Sequence, residues 1–127
     1  MANYTIIKRE DAGDILGDYP GEMYMMASQL GSEQVAITYR RMPQNTGGKG
    51  GYGHRHGTQE ELYYVISGTL QFKLEDDVVD VPAGSAVRVA PEVVRSVWND
   101  RPEDAELIIV SNRAEDAAET VPDFWPE

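Results

Sequence analysis

The sequence predicts an all-β fold. Short apolar runs rich in β-branched and aromatic residues dominate from about residue 34, turn residues recur every eight to twelve positions, and helical periodicity is confined to the tail. That rhythm belongs to an antiparallel sandwich or barrel rather than to alternating strand–helix units.

The first thirty residues are ambiguous, with 4–8 and 22–27 expected as outlying strands. Residues 34–41 (QVAITYRR) read as a strand, followed at 43–53 by a glycine-rich connection with no regular pattern. A phosphate cradle is not expected there, because Lys49 is followed by Gly50 rather than Ser or Thr and leads into a strand. Residues 61–66 form a strand, Ser67-Gly68 a turn, and 69–74 a strand that alternates Leu70, Phe72 and Leu74 on one face. Glu75-Asp76-Asp77 turns the chain into 78–81, and Pro82-Ala83-Gly84 turns it again. Strands are expected at 86–90, 93–99 and 105–111, and a brief helix at 114–119 that ends before Pro122. With no internal repeat and no linker, residues 1–127 are expected to form a single domain with its barrel core at about 34–111.

Composition narrows the function classes. A 127-residue chain of 14.1 kDa buries about two-thirds of its unfolded surface, enough for a core without covalent staples. The net charge of -11 repels nucleic-acid backbones and anionic lipid, so no nucleic-acid or membrane partner is expected. Cysteine is absent, which excludes disulfides, thiolate metal sites and a cysteine nucleophile. Without an apolar leader or an 18-residue apolar run, the expected location is cytoplasmic.

His54 and His56 are the chain's two histidines. Residues at i and i+2 of an extended chain point to the same face, so both imidazoles can converge on one point. Glu60 and Glu61 open the next strand, where alternation groups Glu61 with Tyr63 and Val65 and sends Glu60 to the other side. If the first group faces inward, Glu61 joins the imidazoles. Two histidines and a carboxylate suit Fe(II), Mn(II), Zn(II) or Ni(II).

The run Gly48-x5-His54-x-His56-x4-Glu61-x6-Gly68 resembles the first motif of the cupin superfamily at every fixed position. The second motif can be laid on Gly84-x5-Ala90-x-Glu92-x2-Arg95-x3-Asn99, where only the first Gly and the last Asn agree. The two motifs and their spacer cover residues 48–99. The chain is thus similar to small single-domain conserved-barrel cupins of the cupin 2 kind. The resemblance implies an antiparallel jelly-roll barrel with short N- and C-terminal extensions and a site inside it.

Carried over, His54, His56 and Glu61 would be metal ligands, while the fourth ligand position holds Arg95. A guanidinium has no lone pair to give a metal. Three arrangements stay open. Arg95 pairs with Glu61 in a metal-free pocket, or turns aside to bind an anionic substrate while the triad keeps a metal, or points outward from a packed interior.

The expected function is a small-molecule-binding cupin. One reading makes it a divalent-metal-dependent enzyme of dioxygenase, isomerase or cyclase type acting on a small oxygenated or anionic substrate. There the metal serves as Lewis acid or O2 activator and Arg95 orients a carboxylate or enolate. The other reading is a non-catalytic, metal-free binding or sensor domain in which Arg95 pairs with Glu61. Tyr63 is the candidate proton donor or acceptor, and Arg95, Tyr63 and Gln59 are the candidate substrate contacts, with Arg55 and Tyr52 at the mouth. Met23, Met25 and Met26 are expected to pack on the barrel or a partner subunit. Trp98 is expected outward, and the resemblance implies a homodimer.

Overall fold

The computed structural model describes residues 3–127. A short 3-10 turn, Arg9–Ala12, precedes strand β1 (Glu22–Met25) and the one-turn helix α1 (Ala27–Leu30). The chain then runs through β2 (Val35–Met42), β3 (Thr46–Gly47), β4 (Gly51–Arg55), β5 (Glu61–Ser67), β6 (Thr69–Leu74) and β7 (Asp77–Pro82). It finishes with β8 (Ala86–Val89), β9 (Arg95–Asn99), β10 (Ala105–Asn112) and β11 (Glu119–Trp125). One sheet has the order β1-β2-β10-β5-β8 and the other β11-β4-β9-β6-β7, with β3 alongside β9. Every pairing is antiparallel, so the all-β jelly-roll barrel is observed.

Alternation decides which end of the barrel is packed and which is hollow. Leu70 and Phe72 are fully buried, as their period-2 pattern predicts, and Leu74 packs beside them. They meet Met42, Val65 and Leu107, and the Tyr63 ring stands edge-on to Phe72 at 5.2 Å. Moving along the same interior faces, apolar side chains give way to polar ones. Met42 on β2 is succeeded by Arg40 and Thr38, Leu107 on β10 by Ile109 and Ser111, and Val65 on β5 by Tyr63 and Glu61. One end of the barrel is therefore an oily core, and the other is left for polar chemistry.

Several expectations change. Residues 4–8 form no strand. The stretch 114–119 is not helical, and strand β11 succeeds it. Pro122 is tolerated in β11 because this strand lies at a sheet edge. Its pairing with β4 also breaks register between Val121 and Trp125, where Asp123 has a φ of 55°. The glycine-rich connection is ordered: β3 lies within it, and Asn45 and Gly48 donate backbone hydrogen bonds to Asn99 and Val97 at 2.7 and 2.9 Å. Trp98 is half-buried, in register with Gly47. Among the methionines, Met23 and Met26 are half-buried and Met25 is exposed.

Gly68 makes the tight β5–β6 turn with a φ of 77°, and a Cβ there would meet the Asp104 carbonyl at 2.8 Å and Ala105 at 2.9 Å. Both backbone strain and collision act together. Gly68→Ala is expected to destabilise the fold by about 1–3 kcal/mol, read as a lower urea midpoint with unchanged slope.

Candidate functional site

His54 and His56 flank Arg55 at the end of β4, so alternation sends both imidazoles inward and Arg55 outward. Outside, the Arg55 guanidinium donates to both carboxylate oxygens of Glu119 at 2.9 Å, which removes Arg55 from the expected pocket mouth. Inside, His54 pairs in register with Arg95 across β4 and β9. Glu61 starts β5 in the opposite sheet, in register with Ser111 of β10.

The three predicted ligands converge. His54 Nε2 and His56 Nε2 lie 3.6 and 3.7 Å from Glu61 Oε1, and the two rings are nearly perpendicular at 5.1 Å. One donor atom from each residue lies within 4.8 Å of the other two.

Arg95 is fully buried and pairs directly with Glu61. Its Nη2 and Nε both donate to Glu61 Oε1, at 2.7 and 3.1 Å, while Nη1 donates to the Val93 and Pro91 carbonyls at 2.8 and 3.1 Å. Tyr63 donates its hydroxyl to the same Glu61 oxygen at 2.7 Å. The Glu61 Oε2 atom accepts no hydrogen bond from the described residues.

The expected anion-reading role of Arg95 therefore gives way to holding Glu61: its nitrogens are committed to groups of the protein, and it lines neither cavity of the open end. Tyr63, 3% exposed, likewise lies beneath Glu61 and outside both cavity walls. Burial first, then the Glu61 charge and hydrogen bond, push its phenol far above the usual range and favour the protonated, donating form.

The charge states are set by this geometry. Burial alone would raise the Glu61 carboxyl, but the contacts from His54, Tyr63 and Arg95 and the Arg95 charge outweigh it and hold the pKa at about 2. Glu61 is thus an anion at any ordinary pH. Burial lowers the pKa of His56 and favours its neutral, ligating form.

The residues fit a divalent ion by a further observation. Both ring nitrogens of His56 are buried without a hydrogen-bond partner among the described residues, an arrangement that costs about 1–3 kcal/mol per group unless something engages them. The set of His54, His56 and Glu61 could hold a metal, with donors suited to Fe, Mn, Zn or Ni. The adjacent Arg95 cation works against the ion, because it already neutralises Glu61.

Two cavities open at this end. One of about 390 Å³ is lined by His54, His56, Glu61, Gln59, Thr38 and Ser111. Gln59 lies at its wall as expected and is anchored by Nε2 to Ser111 Oγ and the Asn112 carbonyl, both at 2.9 Å. The other cavity, of about 400 Å³, is lined by Arg40, Tyr19, Tyr52, His54, Ser96 and Gly48. Tyr52 and His54 belong to both walls. Thr38, Arg40, Tyr19 and Ser96 were not expected from the sequence. The signal for Thr38 and Arg40 was the alternation of 36, 38, 40 and 42, which is obscured because Ile37 and Tyr39 make the opposite face equally apolar.

The depressed Glu61 pKa stabilises the fold fully above its unfolded value near 4.5, and that stability is lost as pH falls through about 2. The contribution is about 3 kcal/mol. Urea titrations between pH 6 and pH 2 should show this acid limb, and Glu61→Gln should flatten it. Arg95→Met, which strands a buried carboxylate, is expected to cost about 3–5 kcal/mol, and the Glu61→Gln/Arg95→Met double variant less than the two single losses together.

The family model for the cupin domain matches residues 41–111. A cupin protein from Bacteroides fragilis superposes with a TM-score of 0.73 at 17% identity, covering 92% of this chain and 90% of that one. The polyketide cyclase RemF from Streptomyces resistomycificus gives 0.75 at 15% identity, covering 92% and 84%. A mutant oxalate decarboxylase from Bacillus subtilis gives 0.74 at 16% identity, covering 89% of this chain and 31% of that one. At such identities the likeness is one of fold. No curated protein matches the chain.

Proposed function

Because the chain belongs to the cupin family, we propose that it is a small-molecule-binding cupin whose open barrel end carries a divalent-metal site on His54, His56 and Glu61 and acts as a metal-dependent enzyme. The supporting observation is His56: a buried imidazole with two unpartnered nitrogens, kept neutral by burial and set 3.7 Å from an ionised carboxylate. When bound, such an ion supplies a Lewis acid or, if iron, an O2-activating centre. Dioxygenase, isomerase and cyclase chemistry on a small oxygenated substrate all fall within that reach. The polyketide cyclase and oxalate decarboxylase among the fold's relatives are compatible with it.

The chain's own residues divide the work. Arg95 and Tyr63 hold Glu61 by Oε1, fix its orientation and keep it ionised. His56 is enclosed while His54 is one-third exposed, so His54 meets the cavity and any ligand in it. Gln59, tied to β10, presents its carboxamide at the cavity wall.

A second reading rests on the Arg95–Glu61 pair. That bond satisfies the carboxylate without a metal, which suits a metal-free binding or sensor domain. Elemental analysis of protein purified without chelator or histidine tag separates the two. Close to one equivalent of transition metal, lost in the His54→Ala/His56→Ala variant, is expected. No metal, together with no thermal shift on adding Fe, Mn, Zn or Ni, would reject the metal-enzyme reading and favour the second.

A further inference from the structure

Arg40 is on the interior face of β2, in register with Met23 of β1 and Leu107 of β10. Arg9, Arg41, Arg55, Arg88, Arg95 and Arg101 each meet a carboxylate. Arg113 and Arg40 meet none among the described residues, but Arg113 donates to the Ser32 carbonyl whereas Arg40 donates to no group and its buried Nε has no hydrogen-bond partner. This is unusual in a chain with 22 acidic residues and 11 basic ones. The ionisable groups around it are the phenols of Tyr19, Tyr52 and Tyr63. Burial lowers its pKa from 12.5, yet a guanidinium keeps its proton at neutral pH.

An unpaired cation, half-buried with its Nε cut off from any partner, is costly, and folded proteins seldom keep one without a use. Arg40 ends in the cavity of about 400 Å³ walled by Tyr19, Tyr52, Ser96 and His54. We propose that this cavity is a carboxylate subsite in which Arg40 forms the ion pair with a small organic acid. The planar fork of a guanidinium matches a carboxylate with two parallel hydrogen bonds. Charge favours a monoanion over a phosphate dianion. Arg40 is one cation in a chain of net charge -11, and Arg95 is already spent on Glu61. Tyr19 and Tyr52 give the cavity aromatic walls, which suit a flat or unsaturated acid. Since His54 is shared with the neighbouring cavity, an acid held by Arg40 extends its other end toward His54, His56 and Glu61. Only this last step rests on the metal-enzyme reading; the carboxylate subsite stands without it.

Benzoate and its neutral isostere benzamide test the subsite, by calorimetry and thermal shift at low salt on the full chain. Benzoate should bind and raise the melting temperature where benzamide does not. Arg40→Met should weaken benzoate about tenfold or more, and Arg40→Lys, which keeps the charge but loses the fork, by less. Without ligand, Arg40→Met should melt at or above the parent temperature, because it removes an unpaired, half-buried charge. A merely structural arginine would lower it. Equal benzoate affinity in Arg40→Met and parent, no preference for benzoate over benzamide in the parent, or a lower melting temperature of ligand-free Arg40→Met would each overturn the subsite. Metal content measured on the same samples keeps the two readings apart, since it can be absent in every variant while benzoate still discriminates Arg40.

Discussion

A guanidinium closed inside a barrel must find acceptors for its N–H groups, and the open end of this protein is organised around that demand. Arg95 is fully buried and distributes its donors between Glu61 Oε1 and two carbonyls of the loop that precedes it. The pair links the sheet carrying β9 to the sheet carrying β5 at the polar end of the barrel. It also determines the state of the neighbours. Glu61 is ionised because His54, Tyr63 and Arg95 contact it, and Tyr63 keeps its proton because it is buried and faces the Glu61 charge. Double bonding to one oxygen leaves the other carboxylate oxygen free of protein donors among the described residues. The ion pair can therefore coexist with a ligand on the same side chain.

Much of this was legible in the sequence, and the reasons are physical. Period-2 alternation put Leu70 and Phe72 in the core, and Glu61, Tyr63 and Val65 on one face, because a strand with one wet side must alternate. The spacing of His54, His56, Glu61 and Gly68 carried both the family and the cluster. Where pattern fails, a competing force is identifiable. The tail at 114–119 has helix-forming Ala and Glu, yet pairing with β4 draws the chain from Glu119 onward into a strand. The glycine-rich connection has no periodicity of its own, and its order comes from backbone partners far along the chain. Arg95 could be read three ways because its partner depends on how the two sheets face each other, which no local pattern records.

The two arginines show how one residue type serves opposite ends. Every side-chain nitrogen of Arg95 donates to a protein acceptor, which ties it to the scaffold, whereas Arg40 meets no acceptor among the described residues and stands in a cavity wall. Sequence pattern does not tell them apart, since each sits among apolar strand residues. Their hydrogen-bond partners do.

The pairing of β11 with β4 bears on how the site is assembled. Arg55 and its partner Glu119 are 64 residues apart, so the edge of the strand bearing both histidines stays uncovered until β11 has been synthesised. Glu61, Arg95 and their strands emerge earlier. During translation the carboxylate–guanidinium bond can form while β4 still has a free edge, and docking of β11 is what covers that edge. Covering the edge of the strand that carries His54 is therefore a late step in the life of a newly made chain.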